Sequence, residues 1–376
     1  MTDRPLRVLL LYWGRRGAAQ RYSLDLAQHW ASDGSVDLHV SLSTTAEVIG
    51  SFEAMGLPGL PVETFETVRQ LVTRTPGLFK LRRRVHRYIQ DHQIDVVFCP
   101  MIHPWNPIVQ WRIPRPIVTV AHDPQPLAGD RSWGRREIEW WSLRQADAVI
   151  ALSDLVAHQL TGRLKIASDR VHRLTFCALP RRADRHPAVV KSGAPRVLFI
   201  GRIKPYKGID LLLGATERLR QAGQSFTLRI AGDGDWARHQ GEIERLGHIE
   251  TVSRWLSEDE VDAEVAQADI IVLPYRAATQ SGVVSVAAAH GIRLVATPVG
   301  GLPEQLAEIP DSILATAATE AAFADALALA ISQTGTQRAR HTETAPGDAP
   351  PYDPVRAFAD HAKRLKAVLS TVTSGR

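Results

Sequence analysis

One stretch of this chain carries most of the information about its fold, Arg196-Val197-Leu198-Phe199-Ile200-Gly201-Arg202-Ile203-Lys204-Pro205-Tyr206-Lys207-Gly208. A continuous apolar run of strand length ends in a glycine, cations follow, and a helical pattern begins at Ile209. A strand that is apolar on both faces is typical of a parallel sheet covered by helices. The same order recurs near the start, where Arg7 to Tyr12 precede Gly14, Gly17 and a helical pattern.

Further buried strands are predicted in both halves of the chain. In the first half they are Val36 to Leu42, Val96 to Cys99, Ile117 to Ala121 and Ala148 to Leu152. In the second half they are Thr227 to Ala231, Ile249 to Val252, Ile270 to Leu273 and Leu294 to Thr297. Helices are predicted at Ile209 to Ala222, Glu258 to Gln267, Val283 to His290 and Thr319 to Gln333. This alternation predicts an α/β protein of two similar domains, with a ligand at the carboxyl ends of the strands.

The predicted domains are residues 1–180 and residues 194–340. Polar, proline-bearing residues 180–193 are the expected linker, and residues 334–354 a flexible connector. A helix is predicted at 354–372, packing back on the first domain through an apolar face formed by Val355, Phe358, Ala362, Leu365 and Leu369.

Composition excludes several classes of protein. The length of 376 residues suits two domains, and 44% hydrophobic with 23% charged residues argues against a disordered or fibrous chain. Cys99 and Cys177 are too few for a disulfide framework or a four-cysteine zinc site, which favours a reducing, cytoplasmic compartment. The apolar run at the start is too short for a membrane span and lacks a signal-peptide cleavage site.

The net charge of +5 lies entirely in the first half. Residues 1–180 hold 22 Lys and Arg against 17 Asp and Glu, and residues 181–376 hold 23 of each sign. Such a surface attracts nucleic acid, anionic substrates or an acidic membrane, and charge alone does not choose among them.

Three loops are candidates for chemistry. Arg202 and Lys207, beside a helix start, are suited to a diphosphate, although a solvated basic loop has the same composition. Thr279 to Gly282 open a helix and complete the same anion site or form an ordinary N-cap. The third loop, Ala231-Gly232-Asp233-Gly234-Asp235, lets a ligand approach the backbone or makes a plain tight turn.

Taken in order, these motifs resemble glycosyltransferase family 4, whose retaining, nucleotide-sugar-dependent enzymes have the GT-B fold of two Rossmann-like domains facing a central cleft. The matching segments are Gly201-Arg202 with Lys207-Gly208, Ala231 to Gly234, Leu273-Pro274-Tyr275 with Gln280-Ser281-Gly282, Gly291 and Pro298 to Glu304, Thr119 to Asp123, and Gly14 with Gly17 to Arg21.

The resemblance implies a role for each matching residue. Arg202 and Lys207 would hold the donor diphosphate without a metal ion, and His122 would lie near the transferred sugar, although a structural histidine is the alternative. The implied donor-binding residues are Gly17, Gly201, Gly234, Gln280, Ser281, Gly282, Val283 and Glu304. Glu304 also fits an ordinary first-turn carboxylate of a helix. No cofactor is expected besides the nucleoside diphosphate sugar, which is a substrate.

One departure from the family concerns the donor. Many relatives carry glutamates where this chain has Ala278 and Val286, so the ribose and sugar hydroxyls need other partners. Retention of configuration follows from the resemblance alone. No carboxylate pair indicates a covalent intermediate, so front-face substitution is expected.

The acceptor is expected on the first domain, as a carbohydrate or lipid-linked saccharide of cell-surface polysaccharide synthesis. Leu78 to Ile89 places five cations at helical spacing, which suits either an anionic membrane surface or an ordinary surface helix with Leu81, Val85 and Ile89 in the core. The tryptophans Trp105, Trp111, Trp133, Trp140 and Trp141 fit a core or an acceptor surface. The protein is thus expected in the cytoplasm, free or at the inner face of the membrane.

Three other functions are compatible with parts of the sequence. A catalytically silent relative that binds a glycan or nucleotide fits the loss of the two glutamates. A dinucleotide-dependent oxidoreductase is disfavoured because Gly14-Arg15-Arg16-Gly17 lacks the usual glycine fingerprint. A nucleic-acid-binding protein would use the basic half, but no zinc finger, helix-turn-helix or RNA platform accompanies it.

Overall fold

A computed structural model describes residues 4–122, 134–175, 193–334 and 353–375. Contacts divide the described chain into two units. Unit 1 contains residues 4–122, 134–175 and 359–375, and unit 2 contains residues 193–334 and 353–358. The predicted linker 180–193 and connector 334–354 lie, except for their end residues, outside the described chain, so both stay predictions.

Unit 1 is built on a six-stranded parallel sheet with the strand order β2-β1-β3-β4-β5-β6. Its strands are β1 (Leu6–Tyr12), β2 (Val36–Leu42), β3 (Val96–Cys99), β4 (Ile117–Ala121), β5 (Ala148–Ala151) and β6 (Val171–Arg173). Its helices are α1 (Ala18–Asp33), α2 (Ile49–Ala54), α3 (Val68–Arg74), α4 (Leu78–Asp91), α5 (Asn106–Val109), α6 (Arg135–Gln145) and α7 (Asp154–His158).

Unit 2 has a second six-stranded parallel sheet, in the order β12-β11-β10-β7-β8-β9. Its strands are β7 (Arg196–Ile200), β8 (Thr227–Ala231), β9 (Ile249–Val252), β10 (Ile270–Leu273), β11 (Arg293–Ala296) and β12 (Ile313–Leu314). Its helices are α8 (Ile209–Gln221), α9 (Gln240–Leu246), α10 (Glu258–Gln267), α11 (Gly282–Ala289), α12 (Leu302–Ala307) and α13 (Glu320–Ser332). The last helix of the chain, α14, spans Pro354–Ser374.

The central strands of both sheets are buried on both faces, as the apolar runs predict. Val8 to Tyr12 in β1 and Val197 to Phe199 in β7 are 0% exposed. Burial of each large apolar side chain contributes about 2 kcal/mol to the free energy of folding. A parallel sheet therefore needs helices on both sides to cover its apolar faces. All ten predicted strands are therefore confirmed, to within two residues at their ends.

Two strands, β6 and β12, were not predicted because they are very short. Strand β6 has three residues and β12 has two, so neither shows a hydrophobic period. Each lies at an edge of its sheet and is defined by pairing with a longer neighbour, β5 or β11.

Helix α14 buries most of its predicted apolar face. Phe358, Ala362, Leu365 and Leu369 are at most 1% exposed, whereas Val355 is 60% exposed and its prediction as a buried residue was wrong. In unit 1, His361 on α14 contacts Tyr22 on α1, with Nε2 lying 2.9 Å from the tyrosine Oη. Val355 lies in the first turn of α14, one turn before this buried face begins.

Helix α4 also follows the predicted pattern, with Leu81, Val85 and Ile89 buried. The tryptophans divide. Trp105 is buried, but Trp111, Trp140 and Trp141 are 42–47% exposed, so a core role is wrong for these three. Trp133 lies outside the described residues. The rings of Trp111 and Trp140 instead lie beside the guanidinium groups of Arg112 and Arg144, which attract an aromatic face at the surface of the protein.

Candidate functional site

The strand order of unit 2 determines where a ligand site can form. Strands β7 and β10 are neighbours in the sheet but not in sequence, so the chain leaves their carboxyl ends toward opposite faces. A crevice opens at such a point and is the usual ligand site of parallel α/β sheets. The loop after β7 contains Arg202 and Lys207, and the loop after β10 leads from Pro274 to Ser281.

The loop after β7 depends on glycine where it meets the loop after β10. Gly208 has a φ of +67° and precedes the first residue of α8. A Cβ atom at this position would collide with the carbonyl oxygen of Pro274. The backbones of the two loops are therefore in direct contact, as only glycine permits.

The turn after β8 supports the same loop from its other side. Gly232 and Gly234 have φ values of +148° and +145°, and a Cβ atom on either would strike the carbonyl oxygen of Gly201 or of Ile203. The Ile203 N–H also donates to the Asp233 carbonyl oxygen at 2.8 Å. The tight-turn interpretation of this motif therefore accounts for both glycines, and a contact of Gly234 with the donor stays a prediction.

The two predicted cations lie on one loop and beside aromatic rings. Arg202 is exposed, and its Nη2 lies 3.5 Å from the hydroxyl oxygen of Tyr206. Lys207 is half-buried, and its Nζ lies 3.7 Å from the ring centre of Tyr275 and 5.3 Å from that of Tyr206. Aromatic faces attract a cation without neutralising it, so the positive charge stays available to an anion.

Tyr275 connects Lys207 to the start of α11. Its side chain is fully buried, and its hydroxyl oxygen lies 3.1 Å from Oγ of Ser281. Burial raises the pKa of Tyr275 well above its ordinary value, so the phenol is neutral at physiological pH. Ser281 is the N-cap of α11, and the N–H groups of Gly282 and Val283 begin the helix that follows. The first amides of a helix have no carbonyl one turn earlier to bind, which suits them to an anion.

The start of α12 holds the start of α11 in place. Oε1 of Gln305 accepts a 2.8 Å hydrogen bond from the N–H of Ser281. The N–H of Gly301 donates to the carbonyl oxygen of Ala278 at 3.2 Å. Gln305 was missed from the sequence, because no local signal distinguishes it from its neighbour Glu304, which lies half-buried in the first turn of α12.

An exposed ion pair joins the same loops. Arg276 donates to Oδ2 of Asp210 at 2.7 Å, and the N–H of Arg276 donates to the Tyr206 carbonyl oxygen at 2.8 Å. Burial opposes ionisation of Asp210, but the hydrogen bond and charge of Arg276 outweigh it and hold the pKa of this carboxyl below its ordinary value. Since both side chains are about half exposed, we assign the pair a role in loop placement.

The remaining predicted residues lie in unit 1. His122 follows β4, and its Nε2 lies 2.7 Å from the carbonyl oxygen of Pro100, which follows β3. A carbonyl oxygen only accepts, so Nε2 carries the hydrogen. Gly17, with a φ of +97°, is the N-cap of α1. The structure thus groups Gly201, Arg202 and Lys207 with the loops of unit 2, and places His122 and Gly17 at the carboxyl ends of the unit 1 strands.

The described residues contain neither a metal-binding cluster nor a membrane-spanning helix. No three His, Cys, Asp or Glu side chains come close enough together there to hold a metal ion. No helix in the described ranges is long and apolar enough to cross a membrane.

Both halves of the chain match models of known protein families. Residues 19–174 match the model described as Glycosyltransferase Family 4, and residues 194–333 match the model described as Glycosyl transferases group 1. The chain belongs to the glycosyltransferases. The resemblance seen in its motifs is thereby confirmed, and the two parallel six-stranded sheets are those of the GT-B fold.

Individual relatives agree with the family. A 2-deoxystreptamine glucosyltransferase of Streptomyces kanamyceticus is 27% identical over 214 residues, covering 54% of this chain and 54% of that protein. The chain therefore matches about half the length of this relative.

Solved structures resemble the whole chain at low sequence identity. The catalytic domain of Starch Synthase IV from Arabidopsis thaliana, bound to ADP and acarbose, has a TM-score of 0.72 at 14% identity, covering 98% of this glycosyltransferase and 100% of that chain. HepE from Anabaena in complex with UDP-glucose has a TM-score of 0.63 at 17% identity, covering 98% of each chain. These similarities show a shared fold.

Proposed function

We propose that this glycosyltransferase moves a sugar, with retention of configuration, from a nucleoside diphosphate sugar to a carbohydrate or lipid-linked glycan, in the synthesis of a cell-surface polysaccharide or glycoconjugate. The observation that carries the proposal is the joining of Arg202, Lys207 and the start of α11 at the crevice between β7 and β10. Two cations and a helix start at one crevice are suited to two linked phosphates. The solved structures in complex with UDP-glucose, or with ADP and acarbose, share this fold and support the same class of donor.

The chemistry assigned to this site is stabilisation of a leaving group. The bond between the sugar's anomeric carbon and the diphosphate oxygen breaks, and a bond from the acceptor oxygen forms on the same face. The acceptor hydroxyl's proton passes to the departing phosphate oxygen. Arg202 and Lys207 oppose the negative charge that grows on the diphosphate, which lowers the barrier to its departure. His122 is assigned to the sugar, where it orients a hydroxyl group.

In this proposal, the donor's hydroxyl groups face neutral side chains at two positions where many relatives carry glutamates. The side chains of Ala278, which is buried, and Val286, which is half-buried, are apolar, so neither position offers a carboxylate. We assign recognition of these hydroxyls to the backbone and to the neutral side chains of Gln280 and Ser281, together with Glu304 in the first turn of α12. Neutral groups make weaker hydrogen bonds than a carboxylate, so we expect modest donor affinity.

A panel of nucleoside diphosphate sugars tests the donor assignment. Thermal shift should identify one donor that stabilises the protein, and nuclear magnetic resonance of the product should show the donor's anomeric configuration. Chelation of divalent metals with EDTA should leave the rate unchanged. An inverted product would overturn retention, and no binding of any donor would overturn the proposal as a whole.

Two variants separate an enzyme from a silent relative. Arg202→Ala and Lys207→Ala should each lower turnover on the order of 100-fold, because each removes charge from the leaving group. Arg245→Ala is the matched control, since Arg245 is an exposed arginine of unit 2 that pairs with Glu217 on the surface. If Arg202→Ala and Lys207→Ala fold and bind a glycan like the original chain, and neither they nor the original chain transfers sugar, the silent relative is correct.

Unit 1 supplies the proposed contact with a membrane. On the exposed face of α4, Phe79 is 64% exposed. The cations of this face are Lys80, Arg83, Arg84 and Arg87. No acidic side chain of the described chain pairs with these four cations, so their charge is directed to solvent. A face with cations around an exposed aromatic ring is suited to anionic lipid headgroups.

Vesicle sedimentation tests this surface. The protein should sediment with vesicles that contain phosphatidylglycerol but not with vesicles of phosphatidylcholine alone. Arg83→Glu with Arg87→Glu should abolish binding, whereas the exposed pair Arg163→Glu with Lys165→Glu changes the net charge equally and should not. Equal loss in both double variants would mean that only net charge matters and would remove α4 from the proposal.

A further inference from the structure

We propose that Tyr275 is a positioning residue that holds the two parts of the donor phosphate site together. The inference rests on the proposed function and deepens it, because it assigns to one buried phenol the placement of both Lys207 and the start of α11.

The first contact is between Lys207 and the face of the tyrosine ring. Nζ of Lys207 lies 3.7 Å from the ring centre of Tyr275, well inside the range in which a ring attracts a cation. The ring is 0% exposed, so the attraction acts away from bulk water, where it is strongest. A lysine side chain has four rotatable bonds, and a fixed ring removes much of that freedom before an anion arrives.

The second contact is made by the other end of the same side chain. The Tyr275 hydroxyl and Oγ of Ser281 lie 3.1 Å apart and are both buried. Ser281 makes no side-chain cap to α11, so its hydroxyl is oriented by the phenol. The phenol therefore spans from the ammonium group to the residue that begins α11.

The backbone of Tyr275 is fixed as firmly as its side chain. Oγ1 of Thr297 donates to the Tyr275 carbonyl oxygen at 2.5 Å, and the preceding residue, Pro274, touches Gly208. A residue held at both its backbone and its hydroxyl presents its ring in one orientation. Lys207 and Ser281 thus keep their separation when the site is empty, which lowers the cost of binding a diphosphate.

Two substitutions at Tyr275 distinguish the contact of its ring from the contact of its hydroxyl. Tyr275→Phe keeps the ring under Lys207 and removes only the hydroxyl, whereas Tyr275→Leu removes the ring. We expect Tyr275→Phe to bind UDP or ADP about 3-fold more weakly than the original chain, because Ser281 loses its partner. Tyr275→Leu should bind about 10-fold more weakly, because the cation–π contact with Lys207 is lost as well. Phe323→Leu is the control for loss of a buried ring in unit 2, and should lower stability without changing nucleotide affinity.

A double-mutant cycle with Lys207→Ala makes the test specific. If Tyr275 places Lys207, then once Lys207→Ala is present Tyr275→Leu should lower the affinity only by the roughly 3-fold that loss of the Ser281 contact gives. Additive losses would overturn the proposal, as would equal affinities for Tyr275→Leu and the original chain. Isothermal titration calorimetry with UDP and ADP measures all four proteins.

A measurement without nucleotide distinguishes this inference from the proposed function. The ring face of Tyr275 covers Nζ of Lys207, so acetic anhydride should label Lys207 faster in Tyr275→Leu than in the original chain or in Tyr275→Phe. If no nucleotide binds but the labelling rates differ in this way, the donor assignment fails and the placement of Lys207 by Tyr275 stands. Equal labelling rates in all three proteins would overturn the inference even if nucleotides bind.

Discussion

The backbone N–H of Ser281 donates a 2.8 Å hydrogen bond to Oε1 of Gln305, and the two residues are 3% and 2% exposed. They are 24 positions apart in the sequence and belong to different helices, since Ser281 is the N-cap of α11 and Gln305 is the fourth residue of α12. A side-chain amide oxygen of a second helix thus accepts the hydrogen bond from the N-cap residue of α11. This bond helps to fix the direction of α11 relative to the loop that precedes it. The anion-binding end of α11 is consequently set by α12 as well as by its own sequence.

Removal of this amide should destabilise unit 2 and weaken donor binding together. Gln305→Ala leaves a buried N–H without its acceptor, which costs about 1–3 kcal/mol of unfolding free energy. Urea unfolding measures this loss, and titration with UDP or ADP measures the affinity. The exposed Gln267→Ala on α10 is the control and should change neither. An unchanged unfolding free energy in Gln305→Ala would show that the bond does not support the start of α11.

The contact between Gly208 and Pro274 can be tested with a matched glycine. Gly208 and Gly223 have similar φ values, +67° and +75°, but only at Gly208 would a Cβ atom meet another backbone. Gly223→Ala should cost about 1 kcal/mol for the left-handed conformation alone. Gly208→Ala should cost a further 1–3 kcal/mol, roughly, because a carbonyl oxygen must move, and it should also weaken nucleotide binding. Equal losses of unfolding free energy in the two variants would contradict a close approach of the two loops.

Protonation of His361 should make unit 1 less stable in acid. Burial lowers the pKa of His361 to about 4, from an ordinary value near 6.5. The unfolded chain therefore binds a proton more readily than the folded chain between these values, so the stability present above pH 6.5 is lost as the pH falls toward 4. The loss from this group is on the order of 3 kcal/mol.

A variant at position 361 isolates this effect from the titration of other groups. His361→Gln keeps a side chain that can bond to Tyr22 but does not titrate. Its unfolding free energy, measured by urea between pH 7 and pH 4, should fall less steeply with pH than that of the original chain. The difference between the two slopes corresponds to at most one bound proton. The exposed His158→Gln should keep the original slope. The same slope in all three proteins would remove His361 as the source. His103, whose pKa burial lowers to about 3, should leave a residual slope of the same sign in every variant.

His122 should matter more for turnover than for folding. Nε2 of His122 donates to the Pro100 carbonyl oxygen, and loss of this hydrogen bond in His122→Ala should cost about 1 kcal/mol of unfolding free energy. If the imidazole orients the transferred sugar, the same change should lower the rate on the order of 100-fold, as misplacement of a reacting group does. His122→Gln retains a donor to Pro100 and serves as the structural control. Loss of stability without loss of rate would make His122 a structural histidine.

Much of this fold was predictable because buried strands carry a strong local signal. The apolar runs of β7 and β10 and the glycine that follows β7 identify strands, loops and helix starts in one pass along the chain. The positions of Arg202 and Lys207 follow from the same signal, since a residue next to a strand end must lie at the carboxyl edge of the sheet.

The residues that hold the site together were not predictable in this way. Gln305 acts on Ser281 from a different helix, and Tyr275 acts on Lys207 from the loop of a different strand, and their neighbours in sequence give no sign of either contact. The exposure of Trp111 was missed for a similar reason, because the guanidinium group of Arg82, on α4, lies 5.4 Å from its ring centre.

The amino-acid sequence by itself determined the two-sheet α/β architecture, the family and the loops that carry charge, because strand burial and glycine turns are local properties of the chain. Tertiary structure alone decided that strands β7 and β10 lie side by side, that Gly208 touches Pro274, and that Tyr275 lies between Lys207 and Ser281. The physical reason is that strand order and loop contact are fixed by packing between segments distant in sequence, and no local pattern of hydrophobicity or charge records it.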